Sequence, residues 1–129
     1  MSENIKEKIE DKIIDLITLG ASGRLVVFKP EGPEGYPDKD LIVEKKGDYK
    51  NKVVSLKIFD KELFGNEEIK NEINPDINFY LIFAKFNFIK QDIEDEIFVV
   101  STVDFKKTPM DKKDFFRYLI EKLEEKWSL

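Results

Sequence analysis

Apolar positions recur along this chain with two different periods, and the changes of period mark its elements. Ile5, Ile9, Ile13, Leu16 and Ile17 fall at helical spacing, with Ser2 or Asn4 available as a cap, which predicts an amphipathic helix over residues 4 to 19. Gly20 and Gly23 end it. RLVVFK, residues 24 to 29, is apolar and β-branched enough to be a strand. The stretch PEGPEGYPD then places three prolines and two glycines in nine residues, which suits neither strand nor helix. It is longer than the usual connection of about 4 to 6 residues, and loops of that kind carry function more often than short ones.

Alternation becomes informative in DLIVEK and KVVSLKIF, two predicted strands joined by the turn KGDYKN. Leu41 and Val43 share one face of the first, with Asp40, Ile42 and Glu44 on the other. On the second, Val54, Leu56 and Ile58 oppose Val53, Ser55, Lys57 and Phe59. Matching the apolar faces in a hairpin allows a register pairing Val43 with Val54 and Leu41 with Leu56, which sets Asp40 opposite Lys57. Cross-strand Cβ atoms lie about 5 Å apart, so carboxylate and ammonium would be within reach. A slip of two residues makes them diagonal neighbours.

Downstream, DKELFGNEEIKNEINPD predicts a short helix from Asn66 to Ile73 stopped before Pro75, with Glu68 and Glu72 on one side and Ile69 and Ile73 sharing another. FYLIFAKF, residues 79 to 86, is apolar on both faces and is expected to be a buried strand. An acidic turn, IKQDIED, precedes a further strand over 96 to 103. Thr108 and Pro109 resemble an N-cap and first helical position, leading into a helix whose buried stripe is Phe115, Phe116, Leu119, Ile120, Leu123 and Trp127. The predicted order is helix, three strands, short helix, two strands, helix, giving a single α+β domain over residues 1–129 with a mixed sheet.

Composition narrows the chemistry. The chain has no Cys and no His, so thiolate, imidazole and zinc-thiolate sites are excluded. Catalysis would fall to carboxylates, Lys, Tyr, Ser or Thr, and any metal would be a hard ion such as magnesium. A net charge of -5 opposes a general affinity for nucleic acid, and only Arg24 and Arg117 offer bidentate donors. A local basic face remains compatible with that balance. No apolar run approaches a membrane span and no signal-peptide pattern opens the chain, so a cytoplasmic protein without membrane contact is expected. On the first helix Glu7, Glu10, Asp11 and Asp15 are solvent-facing charges, and Glu10, which borders the apolar stripe, is the candidate site residue among them.

The element order and the pair PDKDLIV and VVSLKIF resemble the PD-(D/E)XK family, the restriction-endonuclease-like nucleases. The resemblance implies an α-β-β-β-α-β core over residues 4 to about 87, with an extra strand and a C-terminal helix added. It places the family's strand-opening acid at Asp40 and its lysine at Lys57. Where the family pattern has Glu, Asp or Gln, this chain has Ser55, and some members with Ser there supply the acid from the following helix, here Glu72 or Glu68. An intact site would hold magnesium with Asp40 and that glutamate, Glu10 acting through an outer-shell water, and would hydrolyse a phosphodiester with Lys57 positioning water or offsetting phosphate charge.

Three readings follow from this. A nuclease-related protein with impaired or absent catalysis, used on nucleic acid or in protein assembly and open to homodimerisation, is favoured by Ser55, the negative charge and the shortage of Arg. An active magnesium-dependent phosphodiesterase is the alternative. The structural reading is a cross-strand ion pair worth about 0 to 1 kcal/mol in an unrelated α+β domain. A conventional hydrolase is disfavoured because Ser55 and Ser101 have no His to activate them, although a Ser-Lys pair of Ser55 and Lys57 is formally open.

Overall fold

The computed structural model describes residues 3–30, 39–47 and 53–125, the side chains of the first and last of these excepted. The apolar stripe of the first segment produces α1, Glu3–Gly20, whose Ile9, Ile13 and Ile17 are fully buried. A Cβ at Gly20 would collide with the ring of Phe116, so this glycine lets the C-terminal helix α3, Phe115–Glu125, approach the end of α1. The chain then reverses through Ser22 and Gly23, both left-handed, with φ of 51° and 82°.

Three antiparallel strands follow: β1, Leu25–Phe28; β2, Leu41–Lys45; and β3, Val53–Asp60. A short helix α2, Glu67–Glu72, capped by the Asn66 side chain on the Glu68 amide, crosses over to β4, Phe79–Ala84, which runs parallel to β3. A small hairpin of β5, Phe86–Asn87, and β6, Asp92–Ile93, precedes β7, Glu96–Ser101, and β8, Lys107–Asp111. The main sheet is mixed and six-stranded, in the order β1-β2-β3-β4-β7-β8. The protein is therefore α+β.

Alternation divides the sheet into two faces. Val43, Val54, Leu56, Ile58 and Ile82 meet α1 and α3 in the larger core, together with Phe115, Leu119 and Leu123. On the opposite face Phe79, Leu81, Phe83 and Val100 form a second, smaller core with Ile73, and Ile69 of α2 packs against it. β4, buried at every position, serves both.

Several boundaries differ from the sequence expectation. Thr108 and Pro109 do not start a helix: they lie in β8, where Pro109 pairs with Phe98 and Thr108 with Val99. β8 is an edge strand, the position in a sheet that tolerates a residue without an N–H. The helix starts seven residues after Thr108, preceded by a single 3-10 turn capped by Asp111. The strand expected over 96 to 103 stops at Ser101, because the buried Thr102 hydroxyl turns inward to bond Asp76 and Phe79. The strand expected over 79 to 86 ends at Ala84, and the acidic turn after it contains β6. Trp127, Ser2 and most of the PEGPEGYPD loop and of the KGDYKN turn lie outside the described residues.

Candidate functional site

The β2–β3 ladder pairs Leu41 with Leu56, Ile42 with Ser55 and Val43 with Val54, the register expected from the apolar faces. Continued by one residue it would set Asp40 against Lys57. The ladder departs from register at that point. The Asp40 amide donates to the carbonyl of Leu56 at 2.8 Å, one carbonyl short of the continued pattern. Its carboxylate replaces the missing strand acceptor, taking the Ile58 amide at 2.7 Å on Oδ2. The other oxygen, Oδ1, meets the ammonium of Lys6 on α1 at 2.9 Å, and the pair is largely enclosed, with side chains 31% and 15% exposed.

Lys57 projects from the opposite side of the sheet. Its neighbours in sequence, Leu56 and Ile58, point into the core beneath α1, whereas Phe59 belongs to the second core. The Lys57 ammonium lies 5.8 Å from the Phe59 ring centroid and makes no ion pair among the described residues. The expected meeting of Asp40 with Lys57 is thus replaced by a meeting of Asp40 with Lys6. Ser55 is buried on the Lys57 face, and its amide is bonded to the carbonyl of Asn78.

Glu10 is the predicted site residue that the structure does bring to Asp40. Burial raises its proton affinity, the Asp40 charge adds to the effect, and Lys29 and Lys6 oppose it. Lys29 in turn pairs with the exposed Asp11 at 3.2 Å. Glu68 and Glu72 stand exposed on α2, whose Ile69 and Ile73 attach it to the opposite face. Lys6 was not a sequence candidate. The available signal was its place one helical turn before Glu10, on the same side of α1.

Both Asp40 oxygens already have donors, and Glu68 and Glu72 sit on the helix of the other face. Among the described residues no three carboxylates gather in a group able to hold a metal. The donors that the resemblance implies do not fit the ion in this arrangement. What the arrangement does supply is a fixed junction between α1 and the first turn of the β2–β3 ladder, closed by one ion pair and one charge-assisted hydrogen bond. No described helix is long and apolar enough to cross a membrane. No protein-family model, curated protein or solved structure matches the chain.

Proposed function

We propose that this chain is a nuclease-related protein on a restriction-endonuclease-like core, its catalysis impaired or absent, serving as a nucleic-acid-associated or protein-assembly module. The order α1, three antiparallel strands, α2 and a strand parallel to β3 supports the core assignment. One observation carries the loss of catalysis: Asp40 is held by Lys6 and the Ile58 amide while Lys57 leaves the other side of the sheet. A metal would have to displace an ammonium that already neutralises the carboxylate. The second reading, an active magnesium-dependent phosphodiesterase using Asp40, Lys57 and an acid from α2, draws on the adjacency of Glu10 to Asp40.

Cleavage assays separate the two. Single- and double-stranded DNA and RNA are incubated with magnesium or manganese and with wild type, Asp40→Asn or Lys57→Ala. The proposal expects no cleavage that depends on either residue. Wild-type turnover abolished by both substitutions would establish the active enzyme instead.

A further inference from the structure

The face that carries Lys57 holds a second feature. Phe59 stacks on Phe83 with ring centroids 5.3 Å apart, and Phe64 meets Phe83 and Phe98 edge-on at 5.4 and 5.2 Å. Ammonium groups rim this aromatic chain. Lys107 lies 4.9 Å from the Phe64 ring and 4.4 Å from Phe98, and Lys70 lies 5.3 Å from Phe105. Neither lysine has a carboxylate partner among the described residues, and the same holds for Lys57. Lys61, by contrast, is paired with Glu96, and Lys85 with Glu62.

Between Phe64 and Phe105 the surface opens into a pocket of about 110 Å³ over Leu81 and Phe83. Lys70 stands at its wall, and Glu67 is the only carboxylate among the described lining residues. Apolar cavities that enclose benzene measure roughly 150 Å³, so this smaller, open-mouthed space takes part of a six-membered ring and leaves the rest outside beside Phe64. Phe64 is 38% exposed, which leaves part of its ring available beside the opening.

We infer that this face binds single-stranded nucleic acid, with one unpaired pyrimidine lying against Phe64 and reaching partly into the pocket, and flanking phosphates meeting Lys70 and Lys107. The inference rests on the nucleic-acid branch of the function proposed above. Stacking on aromatic rings with lysines along the backbone is the physical means by which unpaired strands are held without sequence readout. A duplex hides the ring faces that the pocket would take. Lysine in place of arginine supplies point charges for phosphate and no bidentate reading of base edges. Glu67, Glu68 and Glu72 of the same helix flank Lys70, so the attraction for phosphate is local to the two lysines and sensitive to salt.

Fluorescence anisotropy of a short labelled oligothymidylate at stepped salt concentrations tests this, with a duplex and polyglutamate as competitors. Lys107→Glu and Lys70→Glu should each weaken binding by about tenfold and flatten the dependence of log affinity on log salt by about 0.7 per lost contact. Phe64→Leu, which keeps the apolar packing, should also cost about tenfold. Glu67→Gln should tighten binding, and Lys90→Glu, at the exposed tip of the β5–β6 hairpin, should leave it unchanged. For the unmodified protein, amide shifts on adding the oligonucleotide should centre on residues 64–70 and 105–107. Absence of binding at low salt, equal loss in Lys90→Glu, preference for duplex, equal competition by polyglutamate, or shifts confined to α1 would each overturn the inference. Binding that maps elsewhere removes this surface and keeps the nucleic-acid branch, while the cleavage assays judge the loss of catalysis independently.

Discussion

Asp40 shows how one side chain settles what a strand end does. A carboxylate accepting from a backbone amide and an enclosed ammonium contributes more than an exposed pair, with charge-assisted bonds worth about 1.5 to 3 kcal/mol. Asp40→Ala should therefore destabilise the protein by about 2 to 3 kcal/mol in urea denaturation, because the Ile58 amide and Lys6 both lose their acceptor. Asp40→Asn, able to keep the amide bond through its carbonyl oxygen, should cost about half as much. A merely exposed ion pair would show neither loss. Glu10 provides a pH test of the same junction. Its native proton affinity is raised, so the folded state binds the proton more tightly than the unfolded chain does. Stability contributed by this group falls as pH rises from the ordinary glutamate range through the raised native value. Glu10→Gln should then raise the denaturation midpoint near pH 7, and the gain should disappear below the ordinary glutamate range. A gain that persisted in acid would assign it to something other than ionisation. The residue scale is also where sequence reading stops short. Asp40 and Glu10 were legible as candidates, but alternation predicts only where an ideal ladder would aim Asp40. The irregular amide bond to Leu56, which lets the carboxylate serve Ile58 and Lys6, leaves no trace in hydrophobic pattern.

Elements with a strong period were legible, and elements fixed by a few polar bonds were not. The stripes of α1 and α3 and the β2–β3 register follow from apolar spacing, whereas Asn66, expected inside α2, caps it instead. Thr108 and Pro109 have the local preference of a helix start, which pairing of β8 with β7 overrides. The buried Thr102 ends β7 by accepting from the Asp76 amide at 3.0 Å and facing the Asp76 and Phe79 carbonyls at 2.9 Å. Thr102→Val keeps the shape and strips these bonds, so it should cost about 1 to 3 kcal/mol. A neutral result in thermal or urea melts would mean that the hydroxyl does not fix this corner. Gly20 marks the contact between α1 and α3. Alanine there gains up to about 1 kcal/mol in helix propensity, yet its Cβ would push into the Phe116 ring. Gly20→Ala should consequently lose about 1 to 3 kcal/mol, the usual range for overpacking. In a Phe116→Ala background, itself less stable for loss of packing, Gly20→Ala should cost less than it does alone, since the obstructing ring is gone.

At the scale of the whole molecule, the sheet separates two environments. One face is closed by α1 and α3, with Asp40, Glu10 and Lys6 at its margin. The other holds Lys57, the aromatic chain and the small apolar pocket beside α2. The groups that a metal-dependent nuclease would need on one side are divided between the two. That division has no signature in motif spacing, which places residues along strands without saying where a bent strand end turns its carboxylate. Manganese titration of the isotopically labelled protein, followed by paramagnetic broadening of amide resonances, tests it most directly. With the carboxylate of Asp40 already held by Lys6 and Ile58, no saturable broadening should centre on Asp40 and Ile58 at millimolar free ion, and exposed acids should show only weak, diffuse effects. Saturable loss of the Asp40, Lys57 and Ile58 signals together, reversed by magnesium, would contradict it.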